Sequence, residues 1–107
     1  MDSANLYASA PVHRTECAKV NAAFLKCKMD HGNQNAHPST CAGEGDAVTA
    51  CLDGVERRLL GKCADAFGAY KTCLHAHELT GAQRYAKCQD LADALKQCDA
   101  KASGSSV

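Results

Sequence analysis

Eight cysteines carry most of the chemistry open to this chain. They stand at positions 17, 27, 41, 51, 63, 73, 88 and 98, four pairs whose members are always ten residues apart. The block itself repeats, with Cys17 to Cys63 and Cys27 to Cys73 each 46 residues apart, and Cys41 to Cys88 and Cys51 to Cys98 each 47. Self-similarity of this kind marks two copies of one supersecondary unit. Zinc sites of the finger type draw neighbouring ligands about two to four residues apart, so that all reach one ion. No two of these cysteines are that close, and the sequence implies no metal and no other cofactor. Thiol redox catalysis asks for a C-x-x-C or a comparable low-pKa pair, and the chain has none. Bridging into disulfides is the chemistry that the spacing favours.

Ten residues of α-helix rise about 15 Å and turn the second cysteine only about 80° from the first, so both lie on one broad seam. Apolar residues share that seam at helical steps: Cys17, Val20, Phe24 and Cys27; Cys41, Val48 and Cys51; Cys63, Phe67, Tyr70 and Cys73; Cys88, Leu91, Leu95 and Cys98. The two sulfurs of one unit cannot join each other, because a disulfide needs Cα atoms within about 7 Å. Each needs a partner on another helix. Of the roughly one hundred pairings open to eight cysteines, one uses the equal spacing fully. Two C-x9-C helices fold antiparallel, and the first cysteine meets the fourth while the second meets the third. The expected bridges are Cys17 to Cys51, Cys27 to Cys41, Cys63 to Cys98 and Cys73 to Cys88. The expected fold is all-α: two tandem, disulfide-stapled antiparallel helical hairpins.

The composition says why staples would be needed. Of 107 residues only 21 are Leu, Val, Met, Phe or Tyr, Ile and Trp are absent, and 20 are Ala. Alanine favours helix but buries little area, and a thin core calls for covalent reinforcement. Twelve basic and twelve acidic residues cancel, which leaves no electrostatic footprint for nucleic acid or an anionic membrane. Apolar runs are far too short for a membrane span. Residues 1 to 16 carry Arg14, Pro11 and no apolar core segment, and read as neither a secretory signal nor an Arg-rich transit peptide. Eight cysteines nonetheless ask for an oxidising compartment. The mitochondrial intermembrane space, where a small unfolded chain is trapped by oxidation, meets both conditions.

The four C-x9-C units resemble the coiled-coil-helix-coiled-coil-helix (CHCH) proteins. Three segments narrow the resemblance to the quadruple C-x9-C accessory subunits of respiratory complex I. They are Asn21 to Lys28 with Phe24 before Cys27, Cys41 to Cys51 with Gly45 and Val48, and Cys63 to Cys73 with Phe67, Tyr70 and Thr72. The resemblance covers about residues 15 to 100, although the first hairpin loop looks longer than is usual. It implies a non-catalytic structural subunit on the intermembrane-space face of the complex I membrane arm, held peripherally by neighbouring subunits and needed for assembly. It also implies import by an intermembrane-space disulfide-relay oxidoreductase. The docking residues would be Val20, Phe24 and Cys27 in the first unit, with Tyr70 and Cys73 in the second. A free intermembrane-space assembly factor or chaperone is the alternative reading.

Along the chain, the sequence predicts an irregular N-terminal arm (1–13), a first hairpin (14–53), a largely helical connector (54–62), a second hairpin (63–101) and a disordered tail (102–107). The polar stretch 30–40 reads as the first loop, with Ser39 or Thr40 as cap of the next helix. The connector is expected to kink near Gly54 or Gly61, and the last helix to run unbroken from about Ala82 to Lys101. Arg57, Arg58 and Lys62 with Asp53 and Glu56 read as a solvated helix face, the alternative being that the arginines anchor a partner. His75 and His77 read as a solvated pair near a helix C-terminus. No phosphate loop, paired acids or nucleophile signature points to an enzyme.

Overall fold

The computed structural model describes residues 2–31 and 39–103. The centre of the expected first loop, with Pro38, and residues 104–107 of the expected tail lie outside the described residues. Every regular element described is helical. In chain order these are α1 (Ser3–Glu16), α2 (Ala18–Asp30), α3 (Ala42–Lys62), α4 (Ala64–Ala76), a 3-10 turn (Glu78–Thr80), α5 (Gln83–Lys87) and α6 (Gln89–Ala102). Helices α2 and α3 pair as the first hairpin, and α4 pairs with α6 as the second.

The sequence reading fails first at the N-terminus. Residues 1–13 do not form an irregular arm, because Ser3–Glu16 is a helix. Asp2 starts it by accepting the Asn5 N–H at 2.8 Å, the side-chain capping that relieves an orphan donor. Asn5, Ala8, Ser9 and Val12 form its buried stripe, at the i, i+3, i+4, i+7 steps of one helix face. Only Val12 is strongly apolar, so the stripe does not announce itself. Pro11 takes away the N–H that would pair with the Tyr7 carbonyl, yet it sits half-buried beside the stripe and the helix continues through it.

Helix α1 decides where the core lies. It packs on α3, α4 and α6, and α3 and α4 also meet α6. Ala8 and Val12 of α1 join Val55 and Leu59 of α3, Phe67, Tyr70 and Leu74 of α4, and Ala92 and Leu95 of α6 in one cluster. Helix α2 contributes no buried residue; it packs mainly on α3 and touches α1. The outcome is a plate of about 41 × 38 × 18 Å in which the first hairpin projects from a four-helix core.

The connector is helical throughout, but the kink is elsewhere than expected. Helix α3 passes through Gly54 and Gly61 and breaks only at Cys63, whose φ of -128° and ψ of 31° leave the helical region. The first loop also differs, since Cys41 rather than Ser39 or Thr40 takes the N-cap position of α3, without a side-chain cap bond. The second hairpin turns through the 3-10 segment and Gly81, whose φ of 62° suits a residue without Cβ. The last helix is not continuous, because Cys88 separates α5 from α6.

Candidate functional site

Four bridges join the eight cysteines: Cys17 to Cys51, Cys27 to Cys41, Cys63 to Cys98 and Cys73 to Cys88, with Cα separations of 5.9 to 6.0 Å. These lie at the ordinary distance for a disulfide. Two bridges staple each hairpin, one at its base and one toward its loop. Each bridge pairs unlike positions. Cys17, Cys41, Cys63 and Cys88 all stand at helix boundaries, with φ between -100° and -128° and ψ between 11° and 31°. Their partners Cys51, Cys27, Cys98 and Cys73 lie inside helices. The boundary cysteines are buried, whereas the helical ones are half-buried. The boundary cysteine is in every case the first of its unit and the helical one the second, an order that the ten-residue interval by itself does not explain.

The residues expected to dock during import have different surroundings in the two hairpins. Val20 is partly buried against the core cluster, and Phe24 is half-buried on the projecting hairpin. A Cβ at Gly45 would stand 3.3 Å from the Phe24 ring, so glycine there permits α3 to approach α2 closely. Tyr70, at the position equivalent to Phe24, is only 3% exposed, because α1 packs on both helices of the second hairpin. Cys27 and Cys73 are half-buried in their bridges.

Two polar nodes fasten α1, and the sequence showed neither. At its start, Asn5 donates to Glu56 Oε2 of α3 at 2.8 Å and accepts from Lys71 Nζ of α4 at 2.9 Å. At its end, Arg58 of α3 bonds Glu16 and also donates through Nε to Asp99 Oδ1 of α6 at 2.6 Å. Arg58 is therefore no part of a solvated face, as its charged neighbours had suggested. Burial, then a hydrogen bond to Asp99, pushes the Glu16 carboxyl up against the pull of Arg58. Burial would raise Asp99 too, but its hydrogen bonds to Glu16 and Arg58 outweigh it and hold it below the ordinary value. Acidic and basic residues on three different helices meet here, and no local spacing could have linked them.

Among the described residues, no group of three or more His, Cys, Asp or Glu side chains is placed to hold a metal ion. No described helix is long and apolar enough to cross a membrane. His75 lies exposed near the end of α4, 3.2 Å from Glu78. The arrangement is a stapled scaffold, with helices held by covalent bridges and polar clasps around a small core.

No protein-family profile matches the chain, and no solved structure matches it. Curated proteins do. Over 73 residues, 68% of this chain, it is 37% identical to NADH dehydrogenase [ubiquinone] 1 alpha subcomplex subunit 8-A of Arabidopsis thaliana, and likewise to subunit 8-B of the same plant. The chain covers 64% and 65% of those relatives, a little under two thirds of their length. The chain is thus a homologue of the alpha subcomplex subunit 8 proteins, with four disulfides that fit twin CX9C helical hairpins.

Proposed function

We propose that this protein is a non-catalytic accessory subunit of mitochondrial NADH:ubiquinone oxidoreductase, complex I. Its place would be the intermembrane-space face of the membrane arm, attached through other subunits and needed for assembly and stability. The 37% identity to two alpha subcomplex subunit 8 proteins carries the reading. Physical features support it. A hairpin stapled twice is already ordered, so docking costs little entropy. Disulfides in this number suit the oxidising intermembrane space. Import through the disulfide relay, with Val20, Phe24, Cys27, Tyr70 and Cys73 engaged before folding, belongs to the same proposal. Phe24 and Tyr70 would then serve twice, as docking residues in the unfolded chain and as packing residues afterwards.

The test is a native gel of mitochondrial membranes solubilised in mild detergent. Co-migration of the tagged chain with NADH dehydrogenase activity is expected, and its loss when the bridges cannot form. Migration as a small free species would sink the proposal and favour a soluble assembly factor.

A further inference from the structure

Helix α1 leaves an open-sided groove of about 530 Å³ along the second hairpin. Ala4 and Tyr7 of α1 and Leu74 of α4 give it a mostly apolar wall, and Lys71 and Arg84 bring two cations to it. Arg84 is held in an unusual state. Its guanidinium lies over the rings of Tyr7 and Tyr85, 5.5 and 4.9 Å from their centres, and one Nη donates to the Tyr85 hydroxyl at 3.0 Å. Its Nε is buried with no hydrogen-bond partner, and Arg84 forms no ion pair among the described residues. A buried donor left unmade is costly, and an acceptor that reached it would recover the cost. Lys71 donates one bond, to Asn5, and an ammonium has three protons to give. The one carboxylate on the groove, Glu78, lies 3.2 Å from His75 and also acts through space on the Arg84 charge without bonding it. Leu79, next along the chain, is 98% exposed.

On the reading that the chain is a complex I subunit, we propose that this groove seats an extended segment of a neighbouring subunit, one that carries a carboxylate beside an aliphatic or aromatic side chain. The carboxylate meets Arg84 and Lys71, while the apolar side chain lies on Tyr7 and Leu74. Charge complementarity selects the acid, because the groove carries two permanent cations, Lys71 and Arg84, against the single carboxylate of Glu78. Size selects a segment, since a groove of this volume holds a few side chains and no whole helix. Tyrosine and arginine are also the residues on which interface energy concentrates.

The test places p-benzoylphenylalanine at Leu79 in the full chain, which is then imported, assembled and irradiated. Within the assembled complex, the crosslink is expected on one segment of one subunit, with Asp or Glu a few residues away. Arg84→Glu should lower the co-migrating fraction at least tenfold with the bridges and helix content intact, and an Asp or Glu to Arg change in the crosslinked segment should restore it. A chain that co-migrates with complex I but crosslinks only lipid, or nothing, would overturn the groove and leave the subunit reading standing. Wild-type co-migration of a folded Arg84→Glu chain would overturn it too. A crosslink to an acidic segment outside complex I would keep the groove and remove the subunit reading.

Discussion

Arg58 holds together two carboxylates that pull in opposite directions. Glu16 is raised above its ordinary value of 4.5, mainly by burial and by its bond to Asp99, so the folded chain binds that proton more tightly than the unfolded chain. The resulting stability is full below pH 4.5 and is lost as the pH rises through the raised value. Asp99 is held below its ordinary 3.8. Its contribution is present above pH 3.8 and is lost as the pH falls through the lowered value. Melting temperature followed from acid to neutral pH should therefore pass through a maximum between the two limbs. Glu16→Gln should flatten the limb on the neutral side, and Asp99→Asn the one on the acid side. Identical profiles for the three proteins would show that the node does not control stability. Arg58→Met is harsher, because Asp99, 5% exposed, would keep a buried charge without its cation. Breaking such a pair costs about 3 kcal/mol or more, which lowers the melting temperature by roughly 10 °C or more in a domain of this size. The loss should shrink in acid, where Asp99 takes up a proton. Phe67, fully buried, is the apolar counterpart, and Phe67→Ala should cost about 3 to 5 kcal/mol in chemical denaturation.

The two hairpins share a pattern but not a support, and that difference sets what each bridge does. Helix α2 has no buried residue, so beyond its packing on α3, its touch on α1 and Val20 against the core, the first hairpin relies on its staples. Behind the second hairpin stand Phe67, Tyr70 and Leu74. The two inner bridges close similar spans, 14 and 15 residues, and loop entropy alone would give each about 3 kcal/mol. Local consequences should diverge. Replacing Cys27 and Cys41 with Ser should speed amide exchange through α2 and the first turns of α3 while α4 and α6 stay protected. Replacing Cys73 and Cys88 should lower global stability with no separate opening of α4. Equal exchange patterns in both variants would mean that the core supports both hairpins alike. Helical hairpins were legible because a strict ten-residue interval fits a helix seam and because Phe24, Phe67, Tyr70 and Leu95 fall on it. The breaks at Cys17, Cys63 and Cys88 were not: each is the first cysteine of its unit, but residue type and a ten-residue interval do not say that the first member closes a helix.

How the two hairpins are joined was the least legible feature, and α1 explains it. The stripe Asn5, Ala8, Ser9 and Val12 is small and half polar, so it reads as a tail until its neighbours are known. Ser9 and Ala8 are nevertheless fully buried, and their size permits α1 to lie close against α3, α4 and α6. Without α1 the hairpins would keep the chain link from α3 through the break at Cys63 into α4, the packing of α3 on α4 and α6, and the Arg58 to Asp99 bond. Covalent bridges do not help here, because every disulfide lies within one hairpin. Their joint therefore rests on non-covalent contacts, in which α1 has the largest part. A carboxylate put at Ala8, which is fully buried in the apolar cluster, as in Ala8→Asp, should expel the helix. Each hairpin would remain stapled, so far-ultraviolet circular dichroism should lose only the share of helix that belongs to α1. Small-angle scattering should then report a chain larger than the 15.6 Å Cα radius of gyration of the joined form. An unchanged radius with α1 melted would show that α3, α4 and α6 hold the angle between the hairpins by themselves. A swollen one would make α1 the element that presents both hairpins to a partner as a single rigid face.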